Sequence, residues 1–268
     1  MQLPKIHSNQ QDFSLHIKLV TSREETLRVI ASDAEKPNSN YADRTIKVKG
    51  EREIYLSFPI SPENLTVTIY NVANGNTQFD NSFSIPEGGV QVKKLKKYNI
   101  WIDDETRDFL SLAKYFTQKA GFANATTANG NPTAYISESD KFKIVYFDVI
   151  KHNGSPITTP ARIGHNTGII ECSKKYFSAY TIPMRMIILL HEFSHKYKNH
   201  KLGKKINDEV AADVNALYIY LGLGFSKIDA IYVYANVFYK AQTEGNIKRM
   251  RVIMDFITKF EQGEFSNT

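Results

Sequence analysis

The chain has 268 residues, 42% of them hydrophobic, with a formal net charge of +6 and a sequence pI near 9.1. That is enough apolar material for one large or two modest domains with their own cores, and it excludes a tail or a linker. The single cysteine, Cys172, excludes an intrachain disulfide, and no uninterrupted apolar stretch approaches the roughly 18 to 20 residues needed to cross a bilayer, so no membrane span is expected.

The opening MQLPKIHSNQQDF shows neither a basic segment followed by an apolar core nor a lipidation pattern. No export signal is read there, and a cytoplasmic location is expected. Residues 1 to 100 then have a β-rich texture. Ser14 to Val20 alternates like a strand, while Ser22 to Ile30 fits either helix or strand. Arg44 to Lys49, Glu53 to Ile60, Leu65 to Tyr70 and Thr77 to Ile85 are short runs of alternating or β-branched and aromatic residues. Between them lie the turn signals Lys49-Gly50, Ser61-Pro62-Glu63-Asn64, Asn74-Gly75-Asn76 and Pro86-Glu87-Gly88-Gly89. The pattern predicts an antiparallel β-sandwich-like domain that anchors the protein or positions a substrate; nothing in it has catalytic spacing.

From Asp103 to Ala120 the period becomes helical, with Phe109, Leu110, Leu112, Ala113, Phe116 and Ala120 apolar. The domain boundary is therefore placed near residue 100, giving domains 1–100 and 101–268. Asn124 to Thr133 reads as a polar loop. Phe142 to Ile150 is a strong strand and Gly168 to Ser173 a second, together backing whatever follows as a small twisted sheet. Cys172, inside that second strand, reads as packing and not as a nucleophile.

The next helix carries the chemistry. Thr181 can cap it, Pro183 lies in its first turn, and Met184, Ile187, Ile188 and Leu190 give it a buried body. It runs into His191-Glu192-Phe193-Ser194-His195, an HExxH sequence. Residues four apart on a helix differ by about 40° around the axis and about 6 Å along it, so both imidazoles leave one face and can reach one metal ion. Glu192 then lies beside the metal, placed to take a proton from a water the metal has acidified. Zn2+ is the expected cofactor.

A catalytic zinc needs a third protein ligand and one open position. A third histidine six residues after the second would fall on Lys201, so that arrangement is excluded. Downstream, Asn207-Asp208-Glu209-Val210-Ala211-Ala212-Asp213 opens another helical pattern, with Glu209 and Asp213 one turn apart on one face. Glu209 is the expected third ligand. Asp213 is expected to accept the free ring N–H of a ligand histidine, fixing its tautomer.

Taken together, Ala161-Arg162-Ile163-Gly164, Gly168-Ile169-Ile170-Glu171-Cys172-Ser173, HEFSHKYKNH and Glu209-Val210-Ala211-Ala212-Asp213 resemble the gluzincin metallopeptidases. More narrowly, they look like the group of the prenyl-protein endopeptidases and heat-shock membrane proteases, over roughly residues 155 to 240, with an echo in Asn246 to Arg251. The resemblance implies an α+β, zincin-like peptidase domain acting on a peptide or protein substrate. His200 matches the extra histidine of HExxHxxxxH, and Ala161, Arg162, Ile163 and Gly164 match the edge strand that receives an extended substrate through its backbone. For stabilising a developing oxyanion the candidates are His200, Tyr218, Tyr232, Tyr234 and the late arginines Arg249 or Arg251. Thr159 and Pro160 stand where the group usually has an asparagine before the edge strand, and its histidine-proline pair ahead of the late arginine is missing.

The basic excess falls in two clusters, Lys93, Lys94, Lys96 and Lys97, and Lys196, Lys198, Lys201, Lys204 and Lys205. Neither is interleaved with aromatics as in a single-strand binding platform, so nucleic acid is not an expected partner. A second reading has the β-rich domain docking the protein into a larger protein assembly, for example a tailed-phage particle, with a virion-associated location and peptidase chemistry secondary or absent.

Overall fold

The computed structural model describes residues 1–36, 39–75, 81–197, 208–241 and 243–265. It is a mixed α+β structure that divides into two compact units, Met1–Lys96 and Lys97–Thr268, with the division close to the expected boundary at residue 100. No helix among the described residues is long and apolar enough to cross a membrane.

The N-terminal unit is built from β1 (Ile6–His7), β2 (Phe13–Asp33), β3 (Asn40–Phe58), β4 (Asn64–Asn71) and β5 (Val90–Lys93). All pair antiparallel in the order β1-β4-β2-β3, and β5 joins β2 beside the first half of that strand. Residues 15, 17 and 19 and residues 27, 29 and 31 of β2 are fully buried, as an alternating apolar face requires. Here the sequence expectation is corrected. The predicted strands Arg44 to Lys49 and Glu53 to Ile60 are one strand, and Lys49-Gly50 is no turn. Gly50 takes φ +70° opposite Thr21, and the register resumes at Glu25 opposite Val48, so Ser22, Arg23 and Glu24 bulge against Lys49. The bulge lets both strands bend without ending, and Ser22 to Ile30 is accordingly strand. Of the expected strand Thr77 to Ile85, residues 77–80 lie outside the described residues, and the rest holds only an isolated bridge between Ser84 and Val20.

The C-terminal unit opens with α1 (Asp104–Lys119), which Asp103 caps by accepting from the Thr106 N–H at 2.8 Å. Then come β6 (Thr133–Ile136), β7 (Lys143–Phe147), a small hairpin of β8 (Lys151–His152) and β9 (Ser155–Pro156), β10 (Ala161–Ile163) and β11 (Ile170–Ser173). The sheet order is β10-β11-β7-β6, with β11 and β7 parallel and the other neighbours antiparallel, so β10 is an edge strand. The short helix α2 (Lys174–Phe177) leads to α3 (Ile182–Lys196), α4 (Asp208–Gly222) and α5 (Lys227–Val233). A π-helical turn, Tyr234–Phe238, and α6 (Glu244–Glu261) complete it.

Helix α3 is buried on every side from Ile182 to Ser194. A helix apolar all round belongs in a core, and this one packs against α1, α4, β10 and β11. Phe193 stacks on Phe109 of α1 with ring centroids 4.2 Å apart and meets Phe142 edge-on at 5.6 Å. Arg185 is fully buried in the second turn, its guanidinium donating to the carbonyls of Thr117 at 2.9 Å and Ser178 at 2.5 Å. These carbonyls offset part of the cost of burying that charge, and the bond to Thr117 ties the HExxH helix to α1.

Candidate metal centre

The last turns of α3 and the first turn of α4 bring His191, His195 and Glu209 together. His191 is 4% exposed, and the His195 side chain is 13% exposed. Their Nε2 atoms face each other at 3.1 Å. Glu209 places Oε2 3.7 Å from Nε2 of His191 and Oε1 3.8 Å from Nε2 of His195. Three ligand atoms bound tetrahedrally at zinc distances stand roughly 3.3 to 3.4 Å apart. The observed separations of 3.1, 3.7 and 3.8 Å are close to that spacing, and the donor set of two imidazoles and a carboxylate fits a zinc ion.

Glu192 is on the same helix but not in the triangle. Its side chain is 8% exposed, and burial pushes its carboxyl up to about 7, opposed by His191 and by the backbone N–H of Ile163 and assisted by Glu209. A carboxyl poised there exchanges protons near neutrality. His191 behaves differently. Burial works to lower its pKa, yet the Asp213 carboxylate, with Glu192 and Glu209, outweighs this and the net direction is upward.

Asp213 is completely buried, with Oδ1 2.9 Å from Nδ1 of His191. The distance is that of an ion pair, and the geometry between the two atoms is not that of a well-formed hydrogen bond. On its other side, Asp213 Oδ2 accepts from the Tyr239 hydroxyl and from Arg249, Nε at 3.0 Å and Nη2 at 2.8 Å. The same Nη2 lies 3.0 Å from Glu209 Oε2. Phe238, at the end of the π-helical turn, covers the His191 ring with centroids 4.2 Å apart and planes 32° from parallel.

The other residues singled out in the sequence are distributed unequally. Ala161, Arg162 and Ile163 form β10, and Gly164 closes the following turn by donating to Ile169 O at 3.0 Å. Arg162 is engaged across the sheet with Glu171 at 2.6 Å and donates to Lys151 O at 3.1 Å. The Ala161 carbonyl accepts from the Thr159 hydroxyl at 2.8 Å. His200 lies outside the described residues. Among the oxyanion candidates, Tyr218 accepts from the Trp101 N–H at 2.9 Å, Tyr232 is exposed, and Tyr234 is fully buried with its hydroxyl on Asp213 O at 2.9 Å. Arg249 reaches the centre and Arg251 is exposed. Tyr239 and Phe238 were not foreseen. The only signal for them is the aromatic richness of Tyr232 to Tyr239, which any helical core shares.

No protein-family model, no curated protein and no solved structure matches this chain.

Proposed function

We propose that the protein is a zinc-dependent peptidase of the gluzincin type, similar in its active-site segments to the prenyl-protein endopeptidases and heat-shock membrane proteases. The observation that supports this best is the convergence of His191 Nε2, His195 Nε2 and the Glu209 carboxylate around one point, with the buried Glu192 carboxyl beside them and outside the set. A site that only held structure together would have no use for that free carboxyl.

His191, His195 and Glu209 would hold the ion, and Arg249 and Asp213 hold the ligands. A zinc ion held by these residues would supply Lewis-acid chemistry, polarising a substrate carbonyl and acidifying a water molecule. Glu192 would take the proton of the attacking water on its carboxylate and return it to the departing amine. The edge strand β10 offers its backbone to an extended peptide, and Ile163 ties that edge to the acid-base residue through its N–H. In this reading the C-terminal unit is the zincin-like catalytic domain, and the N-terminal antiparallel sheet positions substrate or anchors the enzyme.

Glu192→Gln tests it. The amide keeps the shape and removes the proton acceptor, so peptide hydrolysis should fall by roughly 10²- to 10⁴-fold while zinc content, measured by elemental analysis, stays at the wild-type level. Equal cleavage by both proteins would contradict the proposal.

A further inference from the structure

Tyr239 closes the π-helical turn by donating its backbone N–H to Tyr234 O at 2.9 Å. In an α-helix, residues five apart lie about 140° apart around the axis. Widening the turn by one residue brings them nearly over one another, and both tyrosines then reach Asp213. They do so differently: the Tyr234 hydroxyl donates to the backbone carbonyl of Asp213 at 2.9 Å, whereas the Tyr239 hydroxyl donates to carboxylate Oδ2. Arg249 converges on the same Oδ2 and sits over the Tyr239 ring, its guanidinium carbon 4.5 Å from the ring centre. With Oδ2 held by these donors, Oδ1 is the oxygen left facing Nδ1 of His191 at 2.9 Å.

We propose that Tyr239 is a positioning residue for the metal centre: its hydroxyl locks the Asp213 carboxylate in the rotamer that presents Oδ1 to the ring of His191. The inference rests on the metal reading above and adds to it a residue outside HExxH and the Glu209 to Asp213 segment. Arg249 reaches the same Oδ2 through Nε and through an Nη2 that it shares with Glu209, and the Tyr239 hydroxyl adds a donor from a different part of the chain. Tyr239 donates to Asp213, and its ring supports the arginine, so one side chain orients both of the groups that orient the ligands. Groups that hold a ligand imidazole in place contribute to metal affinity almost as the ligands do.

The test compares Tyr239→Phe, which deletes the hydroxyl and keeps the ring, with Tyr234→Phe, which deletes a hydroxyl from the same buried neighbourhood but from a helix carbonyl. The readouts are the zinc dissociation constant by competition with a chromophoric chelator, the visible spectrum of the Co2+ form, and thermal melting of the metal-free protein. Zinc binding by Tyr239→Phe should weaken roughly 10- to 100-fold with a shifted Co2+ band, while Tyr234→Phe stays within about threefold of wild type. Unchanged affinity in Tyr239→Phe overturns the inference. So does equal weakening in both variants, or a Tyr239→Phe chain that no longer folds, since each would assign the hydroxyl to general packing. A wild-type protein that takes up no zinc would remove the metal reading itself, and the two failures are thereby told apart.

Discussion

His191 and Glu192 are adjacent, equally buried groups of opposite chemistry, and both bind protons more tightly than free side chains do. For Glu192 the cause is burial, which disfavours its charged form; for His191 burial acts to lower the value, and Asp213 with Glu192 and Glu209 together outweigh it. A pKa raised by folding adds stability that is full below the unfolded value and lost as pH rises through the folded one. The metal-free centre therefore holds together best in acid and loses that contribution toward neutrality and above. Zinc binding at the proposed centre would have the opposite dependence, because an imidazole must lose its proton to become a ligand. The rise in Tm on adding zinc should accordingly grow between about pH 6 and about pH 8, measured by paired melts with and without the ion. A zinc-induced shift of equal size at both pH values would contradict the coupling of His191 to the ion. Activity should show the same sense: it is lost as pH falls, with the acid limb below 7, since a nearby dication adds to the groups that hold Glu192 ionised.

At the scale of elements, α3 sets the centre, and its precision comes from packing. Phe193, inside the HExxH sequence, stacks on Phe109 and Tyr197 and meets Phe142 edge-on. Phe193→Ala should cost about 3 to 5 kcal/mol by leaving a cavity in a buried aromatic cluster, read by denaturant unfolding; a loss below about 1 kcal/mol would show that the helix is held by something else. This helix was legible because two signals coincide in it, a long apolar run and a motif whose spacing matches the helical period. Glu209 and Asp213 were legible for the same reason, one turn apart at a helix start. The long hairpin of β2 and β3 was misread because a glycine after lysine looks like a turn, while the compensating bulge sits on the other strand, some thirty residues earlier, where local pattern cannot reveal it. Tyr239 was illegible for a further reason. Its place at Asp213 depends on a π-helical turn, a departure from the period on which sequence reading relies.

The whole molecule joins a β-sheet unit without catalytic spacing to an α+β unit that contains every group of the candidate centre, from β10 to Arg249 of α6. The sequence conveyed that division through the change from period two to helical period near residue 100, which reflects two different ways of burying apolar faces. What it could not convey is how distant segments meet: a carboxylate of α4, a guanidinium of α6 and a phenol after α5 gather behind one imidazole of α3. The most direct measurement is X-ray absorption at the zinc edge of the protein after metal loading and dialysis. The expected result is one tightly held zinc per chain with two imidazole nitrogens and carboxylate and solvent oxygens at about 2.0 to 2.2 Å; a dialysed protein without zinc, or an oxygen-only shell without imidazole scattering, would contradict the convergence of His191, His195 and Glu209 on a single ion.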